Sequence, residues 1–99
     1  MVKRKVVIEH GAKLQFREAY EYIRKDSFQN AEKVKNKILQ TIKALALHPD
    51  RHPPDKFCTA NDENFRAYEI YKYRITYCVA DDKIIVVRIR HTKMNPFIY

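Results

Sequence analysis

The chain has 99 residues, of which 45% are hydrophobic and 12% aromatic. This length supports one folded domain over residues 1–99 and is too short for two separate cores. Lysine and arginine number 20 against 12 acidic residues, and the formal net charge of +8 favours a polyanion or an acidic protein as partner. No apolar run is long enough to span a bilayer, and no signal-peptide pattern opens the chain. We therefore expect a cytoplasmic protein.

The first two elements are predicted from a change of hydrophobic period. Residues 2–9 alternate as a strand does, with Val2, Val6 and Ile8 on the expected core face and Lys3 and Lys5 on the other. We expect His10-Gly11 to end this strand. From residue 12 onward the spacing becomes helical, and one apolar stripe contains Ala12, Phe16, Ala19, Tyr20 and Ile23.

A second helix is predicted after a short polar interruption. Ser27 is a suitable N-cap residue, and the helix is expected to continue to about Leu47, where His48-Pro49 ends it. Its inward positions are Ala31, Val34, Ile38, Ile42 and Leu45. Because only a few residues join the two helices, they must form an antiparallel hairpin.

The second half of the chain predicts a loop and three strands. Residues 49–64 contain three prolines and several turn-forming residues, and are expected to form an irregular loop. The strands are predicted at Phe65–Tyr71, Tyr73–Val79 and Ile84–His91, with a polar turn between the last two. The apolar end of residues 92–99 is expected to pack back on the body.

The predicted order of elements defines the fold class. It is α+β, with an N-terminal strand and a two-helix antiparallel hairpin packed on one face of a mainly antiparallel sheet that ends in a three-strand meander. The first strand is expected to pair either with the end of the sheet or with the last strand. The sheet face opposite the helices, and its rim, then remain available for function.

Recognisable catalytic and metal-binding motifs are absent from the sequence. The four histidines are scattered without a metal signature, Cys58 and Cys78 are expected to be reduced thiols, and neither a metal nor another cofactor is predicted. Cationic and aromatic residues remain as candidates. They are Arg66, Arg74, Arg88, Arg90, His91, Lys93 and Tyr99, with Lys56 from the loop.

This candidate group has the chemistry needed to cleave RNA without a metal. Arginines on adjacent strands could hold a phosphate through paired hydrogen bonds, and His91 has a suitable ordinary pKa for proton transfer. Structural interpretations compete with this one. His91 could be a hydrogen-bonding residue at a strand end, and Arg74 and Arg88 could pair with Glu69 or Asp82. The strand tyrosines, Tyr68, Tyr71, Tyr73 and Tyr77, suit packing better than base stacking.

The order and spacing of several segments resemble the RelE/ParE toxin superfamily. After a first strand and a helical hairpin come Leu45-Ala46-Leu47-His48-Pro49, Phe65-Arg66, Tyr73-Arg74-Ile75-x-Tyr77-x-Val79 and Val87-x-Ile89-x-His91. The resemblance implies the toxin of a type II toxin–antitoxin pair, neutralised by a cognate antitoxin in the bacterial cytoplasm. Such pairs can act in plasmid stabilisation.

Two activities are implied by the resemblance. RelE-like members cut messenger RNA on the ribosome, and their site residues would correspond to Arg66, Arg74, Arg88, His91 and Tyr99, with Lys56, Arg90 and Lys93 binding substrate. ParE-like members inhibit DNA gyrase and need no nuclease site, and the long helical hairpin resembles that branch more. Two alternatives stay open, namely a non-toxic nucleic-acid-binding module and a degenerate toxin retained as an antitoxin-binding partner.

Overall fold

The computed structural model describes residues 4–58 and 64–93 of the chain. The elements follow the predicted order, and their bounds are β1 Lys5–Ile8, α1 His10–Arg24, α2 Phe28–Ala44, β2 Phe65–Ile70, β3 Tyr73–Val79 and β4 Lys83–His91. The expectations for Val2, Lys3 and the end of the C-terminal tail lie outside the described residues. The α+β prediction is confirmed.

Helix α1 begins two residues earlier than predicted. Glu9 is the N-cap residue with an extended backbone, and its carbonyl accepts the Lys13 N–H at 2.9 Å. His10 and Gly11 therefore belong to the helix and do not terminate the strand. Gly11 has a negative φ and open space where a Cβ would project, so its presence does not require a turn. The sequence-based boundary was wrong because glycine is permitted in a first helical turn.

Helix α2 has the predicted cap and a shorter C-terminal end. The Asn30 N–H donates to Ser27 Oγ at 3.1 Å, which satisfies one of the unpaired donors of the first turn. The helix ends at Ala44, and the next residues form a tighter turn in which the Leu45 N–H donates to the Ile42 carbonyl at 3.1 Å. The inward set is confirmed as buried: Ala31, Val34, Ile38, Ile42 and Leu45.

The sheet has the strand order β1-β4-β3-β2. Strand β1 pairs with the last strand and runs parallel to it, whereas the β2–β3 and β3–β4 pairs are antiparallel. A β-bulge interrupts the β3–β4 pair, because Thr76 lies opposite Arg88 while Tyr77 lies opposite Val86. Val87 is therefore the extra residue on β4. The bulge changes which side of the sheet each later β4 residue faces.

A two-residue turn joins β2 to β3. Strand β2 ends at Ile70, one residue before the predicted end, because Tyr71 and Lys72 both have positive φ values, 51° and 67°. Positive φ at both central residues matches the right-handed twist of a hairpin, but it is unfavourable for side chains with a Cβ. This turn therefore holds two non-glycine residues in a strained conformation.

The core lies between the helical hairpin and one face of the sheet. Its largest fully buried side chains are Tyr77, Ile38, Leu45, Ile75, Ile84 and Val86. The loop that follows α2 pairs with β2, since the Asp55 N–H donates to the Phe65 carbonyl at 2.8 Å and the Ala67 N–H to the Pro53 carbonyl at 3.3 Å. The loop thereby lies along the outer edge of β2.

Candidate functional site

Three arginines lie together on the sheet face opposite the helices. Arg74 of β3 is directly opposite Arg90 of β4, and Arg88 is opposite Thr76. Directly opposite residues share one face of a sheet, and the neighbours of these arginines along each strand, Ile75 and Ile89, are buried in the core. We call the group Arg74, Arg88 and Arg90 the arginine face.

Acidic and aromatic groups already surround Arg74. Its Nη2 donates to Asp55 Oδ1 at 2.7 Å and its Nη1 to Glu69 Oε2 at 3.4 Å, while the guanidinium lies 4.8 Å from the centroid of the Phe57 ring. The Asp55 side chain is only 1% exposed. The predicted pairing with Glu69 is thus present, and Asp55 adds a closer one. Since both carboxylates compensate its charge, Arg74 is engaged in structural contacts.

Arg66 lies on the other face of the sheet. It is opposite Tyr77, whose side chain is buried in the core, and its Nη1 donates to the His52 carbonyl at 2.6 Å. The contact ties the loop after α2 to β2. Arg66 is therefore separated from the arginine face by the sheet itself.

His91 and Lys93 line a groove of about 510 Å³ between α1 and the end of β4. The Lys93 N–H donates to His91 Nδ1 at 3.0 Å, and the His91 ring packs edge-on against Tyr73 with 5.1 Å between centroids. Because Nδ1 accepts this bond, the neutral imidazole carries its proton on Nε2. Nearby, β4 extends beyond the end of β1, so the Ile89 N–H has no partner on that strand. Gln15 Oε1 accepts this N–H at 2.8 Å.

Burial keeps the core tyrosines in the neutral form. It raises the pKa of Tyr77 to about 12, and it raises the pKa of Tyr68 to about 12. The pKa of Tyr73, which faces His91, is also raised by burial, with a smaller contribution from Tyr22. A phenol with a raised pKa is a poor base near neutral pH. These three tyrosines pack in or against the core, and two of them, Tyr68 and Tyr77, also make hydrogen bonds.

The remaining candidates do not complete a reaction centre in the described part of the chain. Lys56 lies on the exposed loop, 5.2 Å from the centroid of the Phe57 ring, and Tyr99 lies outside the described residues. Among residues 4–58 and 64–93, no group of three or more His, Cys, Asp or Glu side chains could hold a metal ion. Cys58 and Cys78 are both free thiols.

Sequence reasoning missed two residues that shape this region. Asp55 neutralises Arg74 across a separation of 19 positions, and Gln15 contacts the backbone of Ile89 across 74. A loop aspartate and a helical glutamine carry no sequence pattern that would identify such partners. The neighbouring acidic residue Glu69 was found because it lies opposite Arg74 in a predictable hairpin.

A helical hairpin behind a mixed sheet with a basic open face defines a protein of the RelE/ParE type. The profile of the family described as "ParE toxin of type II toxin-antitoxin system, parDE" matches residues 6–96. The chain belongs to this family of ParE toxins. No curated protein sequence gives a significant match to the chain. None of the helices in the described ranges is both long enough and apolar enough to cross a membrane.

Solved structures agree with this assignment at the level of the fold. The chromosomal ParDE system from P. aeruginosa aligns with a TM-score of 0.73 at 15% identity, covering 92% of this chain and 98% of that chain. The RelBE2 toxin–antitoxin complex from Mycobacterium tuberculosis gives 0.63 at 15% identity, with 91% and 99% covered. The YoeB dimer from Staphylococcus aureus gives 0.57 at 16% identity, with 91% and 98% covered.

Proposed function

We propose that this toxin arrests growth by binding DNA gyrase, and that a cognate antitoxin neutralises it in the bacterial cytoplasm. The observation that carries the proposal is that the arginine candidates do not converge on His91: Arg74 and Arg88 lie on the opposite face of the sheet, and Arg66 lies four positions away along β3. Arg74 and Arg88 lie on one side of the sheet, whereas the His91 groove, which Arg90 also lines, lies towards the helices. A toxin that acts by binding does not need these groups to converge on one reacting phosphate.

Metal-independent RNA cleavage would require such convergence. A general base, a general acid and a charge-stabilising group must all lie within hydrogen-bonding reach of one phosphate. Arg66 and His91 are opposite Tyr77 and Tyr73 respectively, four residues apart on β3, which corresponds to roughly 13 Å along a strand. Arg74 is held by two carboxylates. These distances and contacts argue against a preassembled nuclease site in the described residues.

One observation favours the alternative, which is ribosome-dependent cleavage of messenger RNA. The adjacent arginines Arg88 and Arg90 form a basic surface that suits an RNA backbone. A bound ribosome could supply the proton-transfer groups that this surface lacks. Inhibition of gyrase changes the supercoiling of DNA, whereas cleavage shortens messenger RNA. Measuring both in the same cells therefore distinguishes the two activities.

The test is induction of the isolated gene in a bacterial host, followed by two measurements on the same cells. We expect growth arrest with plasmid DNA that becomes less negatively supercoiled, and primer extension should detect intact messages. Purified protein should inhibit supercoiling by gyrase in vitro, at concentrations similar to those that the protein reaches in the arrested cells. Relief of the arrest by co-expression of the adjacent reading frame would identify the antitoxin.

Two variants make the test specific for the target. His91→Ala and Arg66→Ala should retain growth arrest if the variants fold, as judged by circular dichroism, because neither residue serves as a catalyst. Cleaved ribosome-bound messages with normal supercoiling would refute the gyrase proposal and establish the alternative. Normal growth under strong induction would refute both.

A further inference from the structure

We propose that the His91 groove binds a free guanine nucleotide, with Glu18 on the base and with Arg90 and Lys93 on the phosphate. Inhibition of gyrase does not require such a ligand, so this is a separate binding function that can fail without affecting the first. The proposal depends on the polar groups that the groove leaves unpaired and on the aromatic rings beside them.

The groove has a size suited to a small molecule. Its volume is about 510 Å³, within the range of roughly 300–1,000 Å³ that is usual for small-molecule sites. One wall is a face of α1 on which Gln15, Glu18 and Tyr22 recur at helical spacing. The other wall is the end of the sheet, where Tyr73 lies opposite His91.

Opposite charges line this groove without neutralising one another. Glu18 belongs to α1, Arg90 lies near the end of β4, and Lys93 lies just beyond that strand. None of the ion pairs between described residues involves any of these three side chains. The carboxylate is therefore available to hydrogen-bond donors, and the two cations are available to an anion. A ligand with donors at one end and an anionic group at the other would satisfy all three side chains.

Two neutral donors lie in the same groove. The Gln15 side-chain carbonyl accepts the Ile89 N–H, which holds the side chain in place and leaves its NH₂ group to donate elsewhere. His91 Nδ1 accepts the Lys93 N–H, so the Nε2–H of the neutral ring is a donor as well. Within residues 4–58 and 64–93, neither of these donors has a hydrogen-bond partner. The ligand edge that meets them should therefore carry acceptors.

Guanine matches this set of groups better than the other bases do. Its N1–H and N2–H donors lie side by side, so a single carboxylate such as Glu18 can accept from both. Its O6 and N7 atoms are acceptors and suit the donors of Gln15 and His91. Adenine and cytosine carry a ring acceptor beside the amino group, which the carboxylate would repel. Uracil offers only one donor on this edge.

Aromatic rings in the groove provide a surface for stacking. Tyr22 is 66% exposed although it lines the groove, and Tyr73 meets the His91 ring edge-on. Burial raises the pKa of Tyr73, and Tyr22 adds to this rise, which places the two phenols near each other. A stacked base would cover apolar ring surface that Tyr22 otherwise exposes to water.

A single nucleotide fits the groove better than a nucleic-acid strand or a second toxin molecule. Glu18 would repel the phosphates of a continuous strand, and just two of the described groove residues are cations. Two copies of a chain with a net charge of +8 repel one another. A nucleotide carries its negative charge at one end and presents the donors of its base at the other.

Isothermal titration calorimetry of the full chain with GMP, AMP, CMP and UMP tests the proposal. GMP should bind at least about tenfold more tightly than the other three, because only guanine donates two hydrogen bonds to one carboxylate. In NMR spectra, GMP should shift the amide signals of Ala19, Tyr73 and His91, which line the groove. Absence of GMP binding, equal binding of all four nucleotides, or binding without these shifts would overturn the inference and leave the growth arrest unexplained by it but intact.

Two variants separate recognition of the base from recognition of the phosphate. Glu18→Gln should abolish the preference for GMP over AMP. Lys93→Gln should weaken both nucleotides by a similar factor of about tenfold, and it should not change the binding of guanosine, which has no phosphate. Asp81→Asn and Lys37→Gln make the same charge changes at exposed positions outside the groove and should alter neither affinity.

The controls and two other occupants give results that would refute the proposal. If Asp81→Asn and Lys37→Gln change GMP binding as much as the groove variants do, binding follows net charge alone. Binding of guanosine only within a single-stranded oligonucleotide, with none of GMP, would assign the groove to nucleic acid. A toxin dimer that buries the groove and excludes GMP would assign it to a second copy of the chain.

Discussion

At the scale of single residues, His52 links the loop after α2 to the core. Its ring stacks on Tyr68 with 4.1 Å between centroids and meets the edge of Tyr77 at 6.2 Å. Burial lowers the pKa of His52 below its ordinary value of 6.5, and the positive charge of Arg51 lowers it further. The neutral ring therefore fits this site better than the charged ring does.

This environment predicts a pH dependence of stability. Because the folded-state pKa of His52 lies below its unfolded value, the unfolded chain binds more protons as the pH falls through about 6.5, and the free energy of unfolding should decrease there. His52→Phe keeps a stacking ring without a titrating group, so its stability should vary less between pH 7.5 and 5.5. Urea unfolding at several pH values measures the effect.

A matched histidine serves as the control for this prediction. His48 lies on the exposed turn after α2, and His48→Phe should keep the pH dependence of the native protein. If His52→Phe and the native protein lose stability in parallel on acidification, the dependence arises elsewhere and the assignment to His52 is wrong.

At the scale of elements, the helical hairpin and the β2–β3 hairpin are each closed by a short connection. The two connections differ in the residues that form them. The helical hairpin has a favourable cap at Ser27, and Tyr20 of α1 donates a hydrogen bond to Glu32 of α2. This bond raises the pKa of Tyr20 and lowers that of Glu32. The β2–β3 turn, in contrast, imposes positive φ on Tyr71 and Lys72. The strand pairing on either side compensates for that local cost.

Relief of this strain should stabilise the protein. Lys72→Gly replaces a residue at φ 67° with one that adopts this conformation without steric cost, and we expect the free energy of unfolding to rise by about 1 kcal/mol. The control is Lys13→Gly in α1, where the added backbone freedom should lower it by about 1 kcal/mol. Chemical denaturation of both variants checks the signs. A destabilised Lys72→Gly variant would mean that the turn is not strained.

At the scale of the whole molecule, the fold separates two kinds of surface. The helices cover one side of the sheet and form the core with it. The arginine face lies on the other side, beside the loop residues Asp55 and Phe57. The net charge of +8 is thereby partly concentrated on a rigid sheet. An acidic or polyanionic target would be attracted to this face over long range at low salt.

The arginine face should therefore control target inhibition more than stability. Arg88→Glu and Arg90→Glu together should raise the concentration needed to inhibit gyrase by at least about tenfold, and the difference should shrink with added salt. A double charge reversal on α1, Arg17→Glu with Arg24→Glu, is the control with the same net charge. If both double variants lose activity equally, general charge is sufficient and the arginine face has no special role.

The helices and the hairpin strands could be predicted because their apolar residues recur at local, regular spacings. Ala31, Val34, Ile38 and Ile42 follow one helical stripe, and Ser27 precedes it as a cap. The order of elements then restricted the fold to a helical hairpin against a sheet. The start of α1 and the end of β2 were misassigned, because Gly11 is accommodated in the first turn of the helix and Tyr71 adopts a positive φ.

The sequence by itself determined the fold class, the elements and the basic charge, since these depend on local periodicity and composition. Only the tertiary structure decided which candidates meet. The bulge at Val87 reverses the alternation of β4, so that Val86 and Ile89 both face the core and Arg88 and Arg90 face away from it. Asp55 reaches Arg74 only after the loop folds across β2. Contacts between residues far apart in the chain depend on strand register and loop path, which hydrophobic spacing does not specify.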